Sequence, residues 1–114
     1  MSVRAERVGS LIKEEISVII QRKLNEPSNG FITVTDVRMS ADLRIAKVYV
    51  SIFGPPDVRE KTLKMIEANK KEIRSLIGSR IRLKFTPEIH FHLDETLDRV
   101  EAINNLIKQI HSEK

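Results

Sequence analysis

The chain has 114 residues, 40% of them apolar, which suits one folded domain with a single core rather than a disordered tail. Its 20 Lys plus Arg against 16 Asp plus Glu give a formal net charge of +4, and the lack of cysteine excludes a disulfide framework, a thiolate metal site and a cysteine nucleophile. No run approaches the about 18–20 apolar residues of a membrane span, and the start, with Arg4, Glu6 and Arg7, lacks a secretory apolar block, so a cytoplasmic protein without membrane contact is expected.

Apolar residues recur at Val8, Leu11, Ile12, Ile16, Ile19, Ile20 and Leu24, with Lys13, Glu14, Ser17 and Gln21 between them. That spacing predicts an amphipathic first helix with one buried stripe. Asn25-Glu26-Pro27-Ser28-Asn29-Gly30 then combines residues that stop a helix and turn the chain. Phe31 to Met39 is rich in β-branched residues, but Ile32 and Val34 share one face of a regular strand while Val37 and Met39 fall on the other. One extra residue resets such an alternation, so a β-bulge is predicted near Thr35 or Asp36. After a polar turn at Ser40-Ala41-Asp42-Leu43, Ile45 to Phe53 alternates with Ala46, Val48, Val50 and Ile52 on one face, which completes an antiparallel hairpin.

Gly54-Pro55-Pro56 breaks the chain, and Asp57 with Glu60 has the spacing of a capping box opening a second helix. The apolar stripe of Leu63 and Ile66 resumes only at Ile73, Leu76, Ile77 and Ile81. The interruption predicts two helices joined by a kink over Asn69, Lys70 and Lys71, with Asn69 capping the second. Ile89, Phe91 and Leu93 alternate with His90 and His92 in a third strand, and Asp94 is expected to cap a last helix carrying Leu97, Val100, Ile103, Leu106, Ile107 and Ile110. This order predicts a single two-layer α+β domain over residues 1–114, its helices covering one face of a three-stranded sheet. The expected core joins the first helix to Val48, Val50, Ile66, Ile73, Ile77, Ile89 and Phe91. Phe31, Phe53 and Phe85 are also assigned to it, leaving Tyr49 as the ring with an edge in solvent.

Catalytic signatures are thin: there is no P-loop, dinucleotide fingerprint or nucleophile elbow. His90 and His92 leave one strand on one face beside Glu88, with His111 distant, so the enzymatic alternative is a metal-dependent hydrolase. Structural zinc usually takes four protein ligands and no cysteine helps here, so no metal, no cofactor and no catalytic centre are expected.

Charge is more informative. Residues 59–85 carry a net +6, against +1 for residues 1–58 and −3 for residues 86–114. On a helical projection the face opposite Ile73, Leu76 and Ile77 holds Lys71, Ser75, Gly78, Ser79 and Arg82, with Arg74 at its border. Lys70, Arg80 and Lys84 extend the cluster, although Arg80 joins it only if the helix ends near Ser79. Small residues flanked by cations leave room for a phosphate backbone and supply its countercharge. A merely solvated face is the plain alternative, but acidic partners at helical spacing are scarce. Gly78-Ser79-Arg80 begins like the Gly-x-x-Gly loop of KH domains, yet Ile81 stands where the second glycine belongs and the motif is absent. With an aromatic content of 4%, base stacking is not expected to be the main source of affinity.

The hairpin from Ile32 to Ser51, together with Ile73-Arg74, Ile81-Arg82-Leu83-Lys84, Pro87-Glu88-Ile89-His90-Phe91 and Asp94, resembles the bacterial ribosome-binding factor A family over nearly the whole chain. The resemblance implies a type II KH-like fold, in the order helix, strand, strand, helix, kink, helix, strand, with an additional C-terminal helix. In that family an Ala-x-Gly kink replaces the Gly-x-x-Gly loop; here the matching region reads Asn69-Lys70-Lys71, without the glycine. It also implies a noncatalytic assembly factor that binds the immature small (30S) ribosomal subunit and its 16S rRNA. Such a factor assists late maturation, including processing of the RNA 5′ end, matters most in the cold and leaves as assembly proceeds. A monomer is expected, and a purely protein-binding module is the remaining alternative.

Overall fold

In the computed structural model, which describes residues 3–94, helix α1 spans Val3–Lys23 and buries Ala5, Val8, Ile12, Ile16, Ile19 and Ile20 on one stripe. Leu11, which the spacing also places there, is instead 49% exposed. One residue is roughly 100° of helical turn, so with Ile12 at the centre of the buried face Leu11 lies at its margin. Leu24 closes the helix through its amide to Ile20 O at 2.8 Å, and Asn29 Nδ2 donates to Leu24 O at 2.9 Å across a 3-10 turn at Pro27–Asn29. Gly30 follows with φ of +71°, where a Cβ would stand 2.5 Å from Phe53 O; only glycine fits both the left-handed backbone and the close approach.

Strands β1 (Phe31–Met39) and β2 (Ile45–Phe53) form the antiparallel hairpin, with a register shift between Val34 and Asp36 that leaves Thr35 as the extra residue. The predicted bulge therefore exists, and Ile32, Val34, Val37 and Met39 are all buried on the same side. Strand β3 (Glu88–Leu93) pairs in parallel with β2, giving a mixed sheet of order β1-β2-β3 in which Val48 lies between Val37 and Phe91. A parallel neighbour needs a long crossover. Helices α2 (Pro56–Ala68) and α3 (Lys70–Arg80) supply it, burying Ile66, Ile73 and Ile77 in the cluster shared by α1 and the sheet. The result is an α+β fold whose described helices cover one sheet face, while Thr33, Arg38, Lys47, Tyr49 and His92 occupy the other.

Five expectations need correction or restriction. Asp57 and Glu60 do not form a capping box: Pro55 occupies the N-cap position and no side chain caps α2. Pro56 opens the helix with φ already near the helical value and no amide to satisfy, and Asp57 adds a favourable charge to the first turn. Asn69 does not cap α3 with its side chain; Nδ2 donates backward to Met65 O at 2.8 Å, so the residue closes α2. The break is confined to Asn69, because Lys70 and Lys71 already belong to α3. Phe31, Phe53 and Phe85 are 64%, 67% and 54% exposed rather than core. Phe53 comes one residue after inward Ile52, and Phe31 is its cross-strand partner, so both leave the buried face together. The segment predicted as a last helix, from Leu97 to Ile110, lies outside the described residues.

Candidate nucleic-acid interface

Helix α3 is oriented by Ile73 and Ile77, which are 1% and 0% exposed, and this turns Lys71, Arg74, Ser75 and Gly78 outward. These four residues line a shallow groove whose other wall is Thr86, in the connection to β3. Arg74 Nη2 donates to Thr86 O at 3.1 Å and pins that connection against the helix. Gly78 serves the same approach: a Cβ there would stand 2.8 Å from Thr86 Oγ1. Its small size thus admits the protein's own loop, a use the sequence pattern did not reveal, as well as keeping the groove floor low.

The remaining candidates are spread around this groove. Lys70 is half-buried at the kink, with Nζ 3.9 Å from Glu67 Oε2. Ser79 Oγ donates to Leu76 O at 2.8 Å, a bond within its own helix. Helix α3 continues through Arg80, so this residue turns away from the groove, and its Nη1 lies 3.5 Å from Glu15 Oε2 on α1. That carboxylate oxygen is buried without a hydrogen bond, so the Arg80 charge is committed to offsetting its desolvation. Arg82 is exposed just beyond the helix. Lys84 lies in the connection to β3 and does not line the groove, its Nζ 5.6 Å from the Phe85 ring centre. Lys23 and Glu72 form an ion pair that ties the end of α1 to the first turn of α3.

His90 and His92 sit on the outer sheet face. His90 Nε2 is 3.5 Å from Glu88 Oε1, whereas the His92 ring lies 5.5 Å from that of Tyr49, over which Arg38 also rests at 5.5 Å. Among the described residues no three His, Cys, Asp or Glu side chains converge to hold a metal ion. In the turn between β1 and β2, Asp42 accepts from Ser40 Oγ at 2.6 Å and from the Arg44 amide at 3.1 Å. These bonds hold its carboxyl below the ordinary aspartate range, with the Arg44 charge adding to the effect.

The sequence matches the ribosome-binding factor A family over residues 4–107. The chain belongs to this family. A Thermotoga maritima protein described as a ribosome binding factor A, solved by solution NMR, is 31% identical, with 81% of this chain and 88% of that one covered at a TM-score of 0.67. The crystal structure of ribosome-binding factor A from Thermus thermophilus shares the fold at 24% identity and a TM-score of 0.68, covering 78% of this chain and 94% of that one. A homology model of the Thermus thermophilus factor, fitted into a cryo-EM map of its complex with the 30S subunit, matches with 24% identity, a TM-score of 0.65 and coverage of 75% and 90%. The matched span includes the hairpin, both helices of the crossover and β3, and with them the whole groove.

Proposed function

We propose that this chain is a noncatalytic assembly factor that binds the immature small ribosomal subunit through its 16S rRNA. The observation that carries this reading is the groove of Lys71, Arg74, Ser75, Gly78 and Thr86, set in a segment of net charge +6. Three features suit a phosphate backbone: fixed positive charge, a shallow floor and hydroxyl donors at Ser75 and Thr86. The helix, strand, strand, helix, kink, helix, strand order supports a type II KH-like domain in which the break at Asn69 stands in for the nucleic-acid-clamping loop. Membership of the family, and the likeness to a Thermus thermophilus factor fitted into a map of a 30S complex, support the small subunit as partner. In this reading the factor acts late in maturation, including 5′-end processing, as a cytoplasmic monomer of particular importance in the cold.

Cosedimentation with precursor and mature small subunits tests the partner and the maturation role together. The chain is expected to pellet with precursor subunits and to be lost when Lys71 and Arg74 are both replaced by Ala. Equal recovery of that double variant, or recovery that survives removal of the RNA, would identify a protein-binding module instead. Incubation with precursor rRNA and a divalent metal is expected to leave the RNA intact; cleavage lost in His90→Ala would overturn the noncatalytic reading.

A further inference from the structure

Phe85 is a ring that hydrophobic pattern assigns to the core and that the structure leaves 54% exposed. One exposed apolar side chain is ordinary on a protein surface. What sets Phe85 apart is its company. It lines a pocket with Arg4 of α1, Asp42 and Arg44 of the hairpin turn, and Lys84 beside it. Arg44 Cζ lies 5.0 Å from the ring centre and Lys84 Nζ 5.6 Å, both within the range of a cation–π interaction. Phe31 and Phe53 are more exposed, yet neither has such a cation over it among the described residues.

Three cations against the single carboxylate of Asp42 leave this pocket net positive. Asp42, its acid, already accepts from Ser40 Oγ and the Arg44 amide, and no salt bridge engages Arg4, Arg44 or Lys84 among the described residues. A ring 54% exposed, with two cations in cation–π range and a third in the same pocket, matches a nucleotide, with a base for the ring and phosphates for the charges. The pocket also adjoins the groove on α3, since Phe85 lines one and Thr86, the next residue, lines the other.

We propose that Phe85 is a stacking platform for one unpaired nucleobase of the bound RNA, with Arg4, Arg44 and Lys84 holding the flanking phosphates. This rests on the RNA-binding reading above and adds to it a preference. Bases inside a duplex are already stacked on their neighbours, so the pocket takes a single-stranded or bulged nucleotide.

The test compares a short single-stranded oligoribonucleotide carrying one 2-aminopurine with a duplex of the same length, for wild type and Phe85 variants. Phe85→Ala is expected to weaken single-strand binding by about five- to a hundredfold, the range of one base–aromatic stack, and to change duplex binding by less than about twofold. Phe85→Trp should retain single-strand affinity and the 2-aminopurine quenching. Phe85→Leu, similar in apolar bulk but without a π face, should behave like Phe85→Ala. Thermal melting checks that each variant is folded, which the exposure of the side chain favours. Unchanged single-strand affinity in Phe85→Ala, wild-type affinity in Phe85→Leu, or a wild type without single-strand binding would overturn the proposal. Failure of the broader RNA-binding reading looks different: the duplex too would not bind, or would bind the Lys71→Ala and Arg74→Ala variants as well as wild type.

Discussion

Lys71→Ala removes one exposed cation from the groove without touching the buried face of α3. If Lys71 neutralises a phosphate, the log K against log salt slope should fall in magnitude by about 0.7 to 0.9. Over a fourfold rise in salt, from about 50 to 200 mM, one such contact changes affinity about threefold, and three contacts from Lys71, Arg74 and Arg82 about twenty- to fortyfold. Arg74 carries a second role, because its Nη2 holds Thr86 O at 3.1 Å. Arg74→Ala should therefore lower both the slope and the melting temperature, whereas Lys71→Ala and Arg82→Ala should lower the slope alone. Lys13→Ala, exposed on α1 and outside the groove, is the control. Anisotropy titrations of a labelled rRNA fragment across the salt series measure all four. Equal slopes for Lys71→Ala, Arg82→Ala and Lys13→Ala would mean that the groove makes no specific phosphate contact.

Phe91, 7% exposed and opposite Val48, should cost about 3 to 5 kcal/mol of stability in urea unfolding when replaced by Ala. Gly30→Ala should cost about 1 to 3 kcal/mol in the same assay, because φ is +71° and the obstructing atom, Phe53 O, belongs to backbone that cannot rotate away. Asp42 supplies a pH test. Its folded pKa lies below its ordinary value, so its contribution is present above the unfolded pKa and is lost as pH falls through the folded one. Melting temperature should thus decline more for wild type than for Asp42→Asn between about pH 5 and pH 2; parallel curves would show that the turn bonds carry no net stability.

The elements themselves were legible in the sequence because each rests on a local repeat. The apolar stripe of α1, the alternation of β2 and the phase change in β1 depend only on helical and strand periods, and the break at Asn69 shows as a gap in a stripe. Family residues in the hairpin and around β3 were equally readable, since identity needs no coordinates. Tertiary structure decided which chain segments meet. Pairing of β3 in parallel with β2, the return of Thr86 over Gly78 and the turning of Arg80 toward Glu15 all join positions distant in sequence, for which no local period exists. The same holds for the rings. Phe85 reads as core by its hydrophobicity, but the space at its place in the fold is taken by solvent and by the cations of α1, the hairpin turn and its own connection. A basic segment can be counted in sequence; whether its charges are paired or left open to a phosphate depends on which carboxylates the fold brings within reach.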